Sequence, residues 1–63
     1  MHRFTVGQEV TSKSDTQYRI VRLRHDAHRK LAGELGYDAI SLRDGRQFGP
    51  IRLLRESALR ASA

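Results

Sequence analysis

The dipeptide Asp44-Gly45 constrains this chain more than any other feature, because it lies between two strand-like runs, "YDAISLR" at 37–43 and "RQF" at 46–48. Asp-Gly favours the left-handed dihedrals of a type I′ turn, whose twist matches that of two antiparallel strands joined by two residues. A hairpin is therefore expected here. Ile40 and Leu42 share one side of its first arm, which predicts an apolar side for the hairpin to lay on the rest of the core.

The other segments supply partners for that hairpin. "QYRIVRLR", 17–24, is the richest in β-branched and aromatic residues and reads as a strand. Strict alternation puts Tyr18, Ile20, Arg22 and Arg24 on one face and Arg19, Val21 and Leu23 on the other. Apolar residues and arginines on both faces suit a small, strongly curved sheet or barrel. "FTVGQEVTSK", 4–13, gives a lead-in and a short strand centred on Val10, and the polar cluster "SKSDTQ", 12–17, is the turn that joins the two strands antiparallel.

Two segments allow more than one reading. In "HDAHRKLAGELG", 25–36, Asp26 can cap a helix of about two turns whose Ala27, Leu31 and Leu35 fall at i, i+4 and i+8, with Gly36 ending it. Gly33 inside it costs about 1 kcal/mol relative to Ala, and a long loop is the alternative. The tail "PIRLLRESALRASA" reads as a short strand, then one helical turn in "RESALR", then a frayed "ASA". A helix begun by Pro50, with Ile51, Leu54 and Ala58 on one side, is the competing reading.

The segments "VGQEVTSK", "YRIVRLR", "ISLRDGRQF" and "ESALR", with a closing turn that places a Leu before Arg, resemble the SH3-like small barrels, including Tudor-like and KOW-type domains. The resemblance implies a mainly β, β-rich α+β fold: a small barrel or curved antiparallel sheet of about four to five short strands. A short helical insertion near 26–35 and a C-terminal helical turn complete it. The first hairpin, "SKSDTQ", lacks the glycine of the KOW pattern, and Phe4, Tyr18, Tyr37 and Phe48 do not assemble a Tudor aromatic cage. The likeness is one of element order and brings no function with it.

Sixty-three residues make a single domain, and a chain of that size buries only about 60% of its unfolded surface, so its core must be economical. The ordered part is expected from about residue 4 to 60, and 61–63 to fray. With no cysteine there is neither a disulfide staple nor a thiolate metal site, which fits a reducing, cytoplasmic setting. Neither a signal-peptide core nor the roughly 20 apolar residues of a membrane span is present in the chain as read.

Twelve basic residues against seven acidic ones give a net charge of +5, which favours phosphate or an acidic protein surface as partner. Ten of the twelve are Arg, a bias that a GC-rich genome also produces, so the type alone does not assign a role. Their placement is more informative. Arg22 and Arg24, with Arg29 and Lys30 folded beside them, form the expected gripping face for nucleic acid, and Arg19 is the bystander. Arg43 and Arg46 at the hairpin tip extend this face, and Tyr18 or Tyr37 offers a stacking surface for an unpaired base.

The catalytic alternatives are thinner. The seven acids are scattered without a general acid–base spacing, the serines lack a nucleophile elbow, and the glycines build no phosphate loop. In "HDAH", His25 and His28 with Asp26 offer two imidazoles and a carboxylate to a divalent ion, but the supply of further ligands is poor, with no cysteine and with His2 terminal, so the histidines read as solvated loop residues. The expectation is a noncatalytic nucleic-acid-binding module of little sequence specificity, without cofactor, metal or membrane. The alternative is a protein-interaction adaptor or inhibitor of phage or plasmid type, using its basic face or an exposed strand edge. Homodimerisation is compatible with either, and the leucines of the tail are assigned to the core in preference to docking.

Overall fold

The computed structural model describes residues 1–25 and 33–62. Its elements are β1 (Glu9–Ser12), β2 (Gln17–Arg24), β3 (Gly36–Arg43), β4 (Arg46–Arg55), a 3-10 turn (Glu56–Ala58) and β5 (Leu59–Ala61). They form one five-stranded sheet in the order β4-β3-β2-β1-β5, with each neighbouring pair antiparallel. The mainly β fold is thus as expected. Among the described residues no ladder joins β4 to β5, so a closed barrel is not part of the pairing. Most of the expected helix at 26–35 lies outside the described residues. At its far end Gly33 has φ 84°, and Gly36, expected to stop the helix, opens β3.

Both expected hairpin connections are present. Asp44 and Gly45 take φ of 52° and 78°, the left-handed pair that Asp-Gly tolerates, and they set Arg43 opposite Arg46. In the first connection Asp15 has φ 65°, its N–H donates to Ser12 O at 3.0 Å, and Ser12 N–H donates to Thr16 O at 2.9 Å. Beyond Phe48, β4 continues through Gly49 and Pro50, where its register with β3 slips between Ile40 and Ser41. The strand-then-turn reading of the tail is the observed one. The pairing runs past the expected end: Ala61 stands opposite Val10, and Ser62 N–H donates to Glu9 O at 3.3 Å.

The core lies on one face of the sheet and gathers Phe4, Val10, Tyr18, Ile20, Tyr37, Ala39 and Leu59, with Leu23 and Leu54 packed against it. Two expectations about faces are corrected. In β3 the core takes Tyr37 and Ala39, whereas Ile40 and Leu42 stand on the other face, Leu42 buried between its cross-strand neighbours Gln17 and Gln47. In β2 a bulge at Val21 breaks the strict alternation, since Ile20 pairs with Ala39 but Arg22 already pairs with Asp38. One extra residue reverses the phase of everything after it. Tyr18, Ile20 and Leu23 therefore face the core, and Arg22 and Arg24 join Arg19 on the opposite face, not Tyr18 and Ile20.

The lead-in to β1 is tied to the far side of the sheet. Tyr37, fully buried, accepts hydrogen bonds at its Oη from the N–H groups of Arg3 and Phe4, each at 3.1 Å, and donates to Glu56 Oε2 at 2.5 Å. Glu56 Oε2 also accepts from Arg3 N–H at 2.9 Å. His2 Nε2 lies 2.8 Å from Arg24 O and 3.0 Å from Gly36 O; two carbonyl acceptors require that nitrogen to carry the proton.

Candidate nucleic-acid interface at the hairpin end

The arginines of β2 are held by acids of the chain itself. Asp38, only 5% exposed, receives Arg22 through Nε at 2.9 Å and Nη2 at 2.8 Å, and Arg24 through Nη1 at 3.2 Å. One carboxylate thus holds two guanidiniums in place. Arg19 Nη2 lies 3.0 Å from Glu9 Oε2 across the β1–β2 pair, and Arg60 Nη2 lies 2.7 Å from Asp15 Oδ1. A phosphate approaching these groups competes with carboxylates already in place.

Tyr18 is 6% exposed and Tyr37 is fully buried, so neither presents a ring for stacking. Arg29 and Lys30 lie outside the described residues. The sequence-predicted face is therefore divided. Arg22 and Arg24 are together but neutralised in part, Tyr18 is in the core, and Arg43 and Arg46 stand at the opposite end of β3.

At that end the chemistry differs. Arg43 and Arg46 are both exposed and sit directly opposite each other across the hairpin, and neither has an ion pair among the described residues. Like charges facing each other across two strands repel, at a cost of some tenths of a kcal/mol to about 1 kcal/mol. Phe48 stands two residues beyond Arg46, opposite Ser41, and so projects from the same face as that pair. Phe48 is 44% exposed, the one exposed Phe or Tyr among the described residues, and the Arg43 guanidinium carbon lies 5.0 Å from its ring centre. Arg52, opposite Ala39, belongs to that face as well and is exposed.

The space beside this cluster is an open pocket of about 630 Å³ lined by Arg43, Asp44, Arg46, Gln47 and Phe48. Sequence reasoning assigned the two arginines but missed Phe48. The signal was present in its position: an aromatic residue just before Gly49-Pro50, at the end of a hairpin, is placed past the reach of the core.

Two other clusters among the described residues tie separate segments together. Burial pushes the Tyr37 hydroxyl up to about 12, and its hydrogen bond to Glu56 adds to the rise. For Glu56, burial acts upward but is outweighed by the hydrogen bonds from Tyr37 and Arg3 N–H and by the charges of His2 and Arg3, so its pKa is lowered. A neutral phenol donating to an ionised carboxylate clasps β3 to the 3-10 turn. Glu34 is lowered as well, by the hydroxyl and then the N–H of Ser57, which it anchors at 2.8 and 3.1 Å. A smaller pocket of about 310 Å³ is lined mainly by apolar side chains, with His2 and His25 edge to face at 4.7 Å. Asp26 and His28 of the "HDAH" motif lie outside the described residues, among which no group of three His, Cys, Asp or Glu could hold a metal ion. No helix among the described residues is long and apolar enough to cross a membrane.

Fold and site together define a small antiparallel β domain with a basic, aromatic hairpin end. No protein-family model matches the chain, and no significant match was found among curated proteins or solved structures.

Proposed function

We propose that this domain is a noncatalytic module that binds nucleic acid with little sequence preference, through the hairpin end and β4 instead of β2. The observation that carries the reading is the Arg43–Arg46 pair: two exposed arginines stand opposite each other across the hairpin, with no ion pair among the described residues. A phosphate between them relieves their repulsion and releases condensed counterions, the main source of sequence-independent affinity. Gln47 and Asp44 add neutral and acidic hydrogen-bonding groups but no array that reads one base. Titration of mixed-sequence DNA and RNA at two salt concentrations tests the reading. Affinity is expected to fall steeply with salt, and Arg43→Ala with Arg46→Ala to weaken binding and flatten the salt dependence. Absence of binding at low salt refutes it, as does a double variant that binds like the parent.

A second reading is supported by Ile51, 57% exposed on the edge strand β4, whose outer backbone has no neighbouring strand among the described residues. An extended acidic segment of another protein can add to such an edge. Gly49, Pro50 and the arginines of β4 are features that blunt edges against pairing, which ranks this reading second.

A further inference from the structure

We infer that the hairpin end selects unpaired bases, so that its ligand is single-stranded nucleic acid, with one base stacked against Phe48 while Arg43 and Arg46 hold the flanking phosphates. This inference rests on the nucleic-acid reading above and narrows its ligand. In a duplex the faces of the bases are hidden in the stack, and an aromatic ring beside the backbone gains little from them. In a single strand each base has an open face, and stacking on a ring is favourable for all four.

Three features of the structure favour that mode. The Phe48 ring is the open one, whereas Phe4, Tyr18 and Tyr37 are at most 6% exposed. Arg43 lies over one face of this ring, its guanidinium carbon 5.0 Å from the centre, so a cation already stands beside the aromatic surface that a base would use. The register sets Arg46, Phe48 and Arg52 along one face of β4, alternating cation, ring and cation in the way a strand with alternating phosphates and bases requires.

The test compares a mixed-sequence single strand with the duplex of the same sequence, by anisotropy of labelled oligonucleotides at low salt, for the parent chain, Phe48→Leu and Phe48→Trp. The single strand is expected to bind the parent more tightly than the duplex. Phe48→Leu keeps an apolar side chain of similar bulk and is expected to weaken the single strand about tenfold while leaving the duplex unchanged. Phe48→Trp is expected to retain binding, and because the chain has no other Trp, its emission reports stacking directly by quenching on the single strand alone. Equal affinity for both forms, with no effect of Phe48→Leu and no quenching in Phe48→Trp, overturns the single-strand inference and leaves nucleic-acid binding standing. Failure of either form to bind overturns both.

Discussion

Tyr37 is the residue on which most separate parts of the chain converge: it is buried in β3, its hydroxyl caps two N–H groups of the lead-in, and it donates to the 3-10 turn through Glu56. Tyr37→Phe keeps the ring but leaves the Phe4 N–H without its partner and leaves Arg3 N–H and Glu56 only their bond to each other, at a cost of about 1–3 kcal/mol. The pH dependence of stability follows from the same groups. Tyr37 has a folded pKa raised from 10.0 to about 12, so its contribution is full below pH 10 and is lost as pH rises from 10 to 12. Glu56 and Glu34 have folded values lowered from 4.5, so theirs is full above that value and is lost as pH falls below it. Urea unfolding across this range should show both limbs in the parent. In Tyr37→Phe the alkaline loss should be reduced, and the acid limb should shift toward ordinary carboxylate behaviour; an unchanged alkaline limb would place that titration elsewhere.

At the scale of the element, the bulge in β2 decides which arginines face which way. Val21 is 40% exposed, whereas Leu23 packs against the core, although strict alternation assigns both to one face. Val21→Lys should therefore change stability by no more than about 0.5 kcal/mol, and Leu23→Lys should cost about 2 kcal/mol or more. Equal costs in chemical denaturation would mean that the phase does not change at Val21. The two hairpin connections were legible in the sequence because Asp-Gly and the Ser/Asp/Thr cluster act through dihedrals and hydrogen bonds a few residues apart. The bulge was not, since it depends on what β3 offers opposite. "DAI" puts Asp38 beside Arg22 and Arg24, and a buried carboxylate that collects two guanidiniums is a property of paired strands. For the same reason Ile40 and Leu42 read as the core face while Tyr37 and Ala39 occupy it. The candidate site was half legible: Arg43 and Arg46 follow from the turn, but the exposure of Phe48 and the burial of Tyr18 required the register.

At the scale of the whole molecule, the sheet order makes β5 the strand that completes β1: Leu59, 5% exposed, stands opposite Ser12, and Arg60 stands opposite Thr11. In a core of so few side chains the loss of one large residue is a large fraction of total stability. Leu59→Ala should cost about 2–5 kcal/mol, and truncation after Ala58 should abolish the cooperative thermal transition seen by circular dichroism. A truncated chain that still melts cooperatively would show that β1 to β4 suffice. Synthesis gives this pairing a further consequence. The nascent chain delivers β1 long before β5, so Val10 and its neighbours must wait through nearly the whole of the domain for their outer partner. Until Leu59 to Ala61 clear the ribosome, the edge of β1 is open to any other strand nearby, and the docking of β5 is the step that covers it against aggregation.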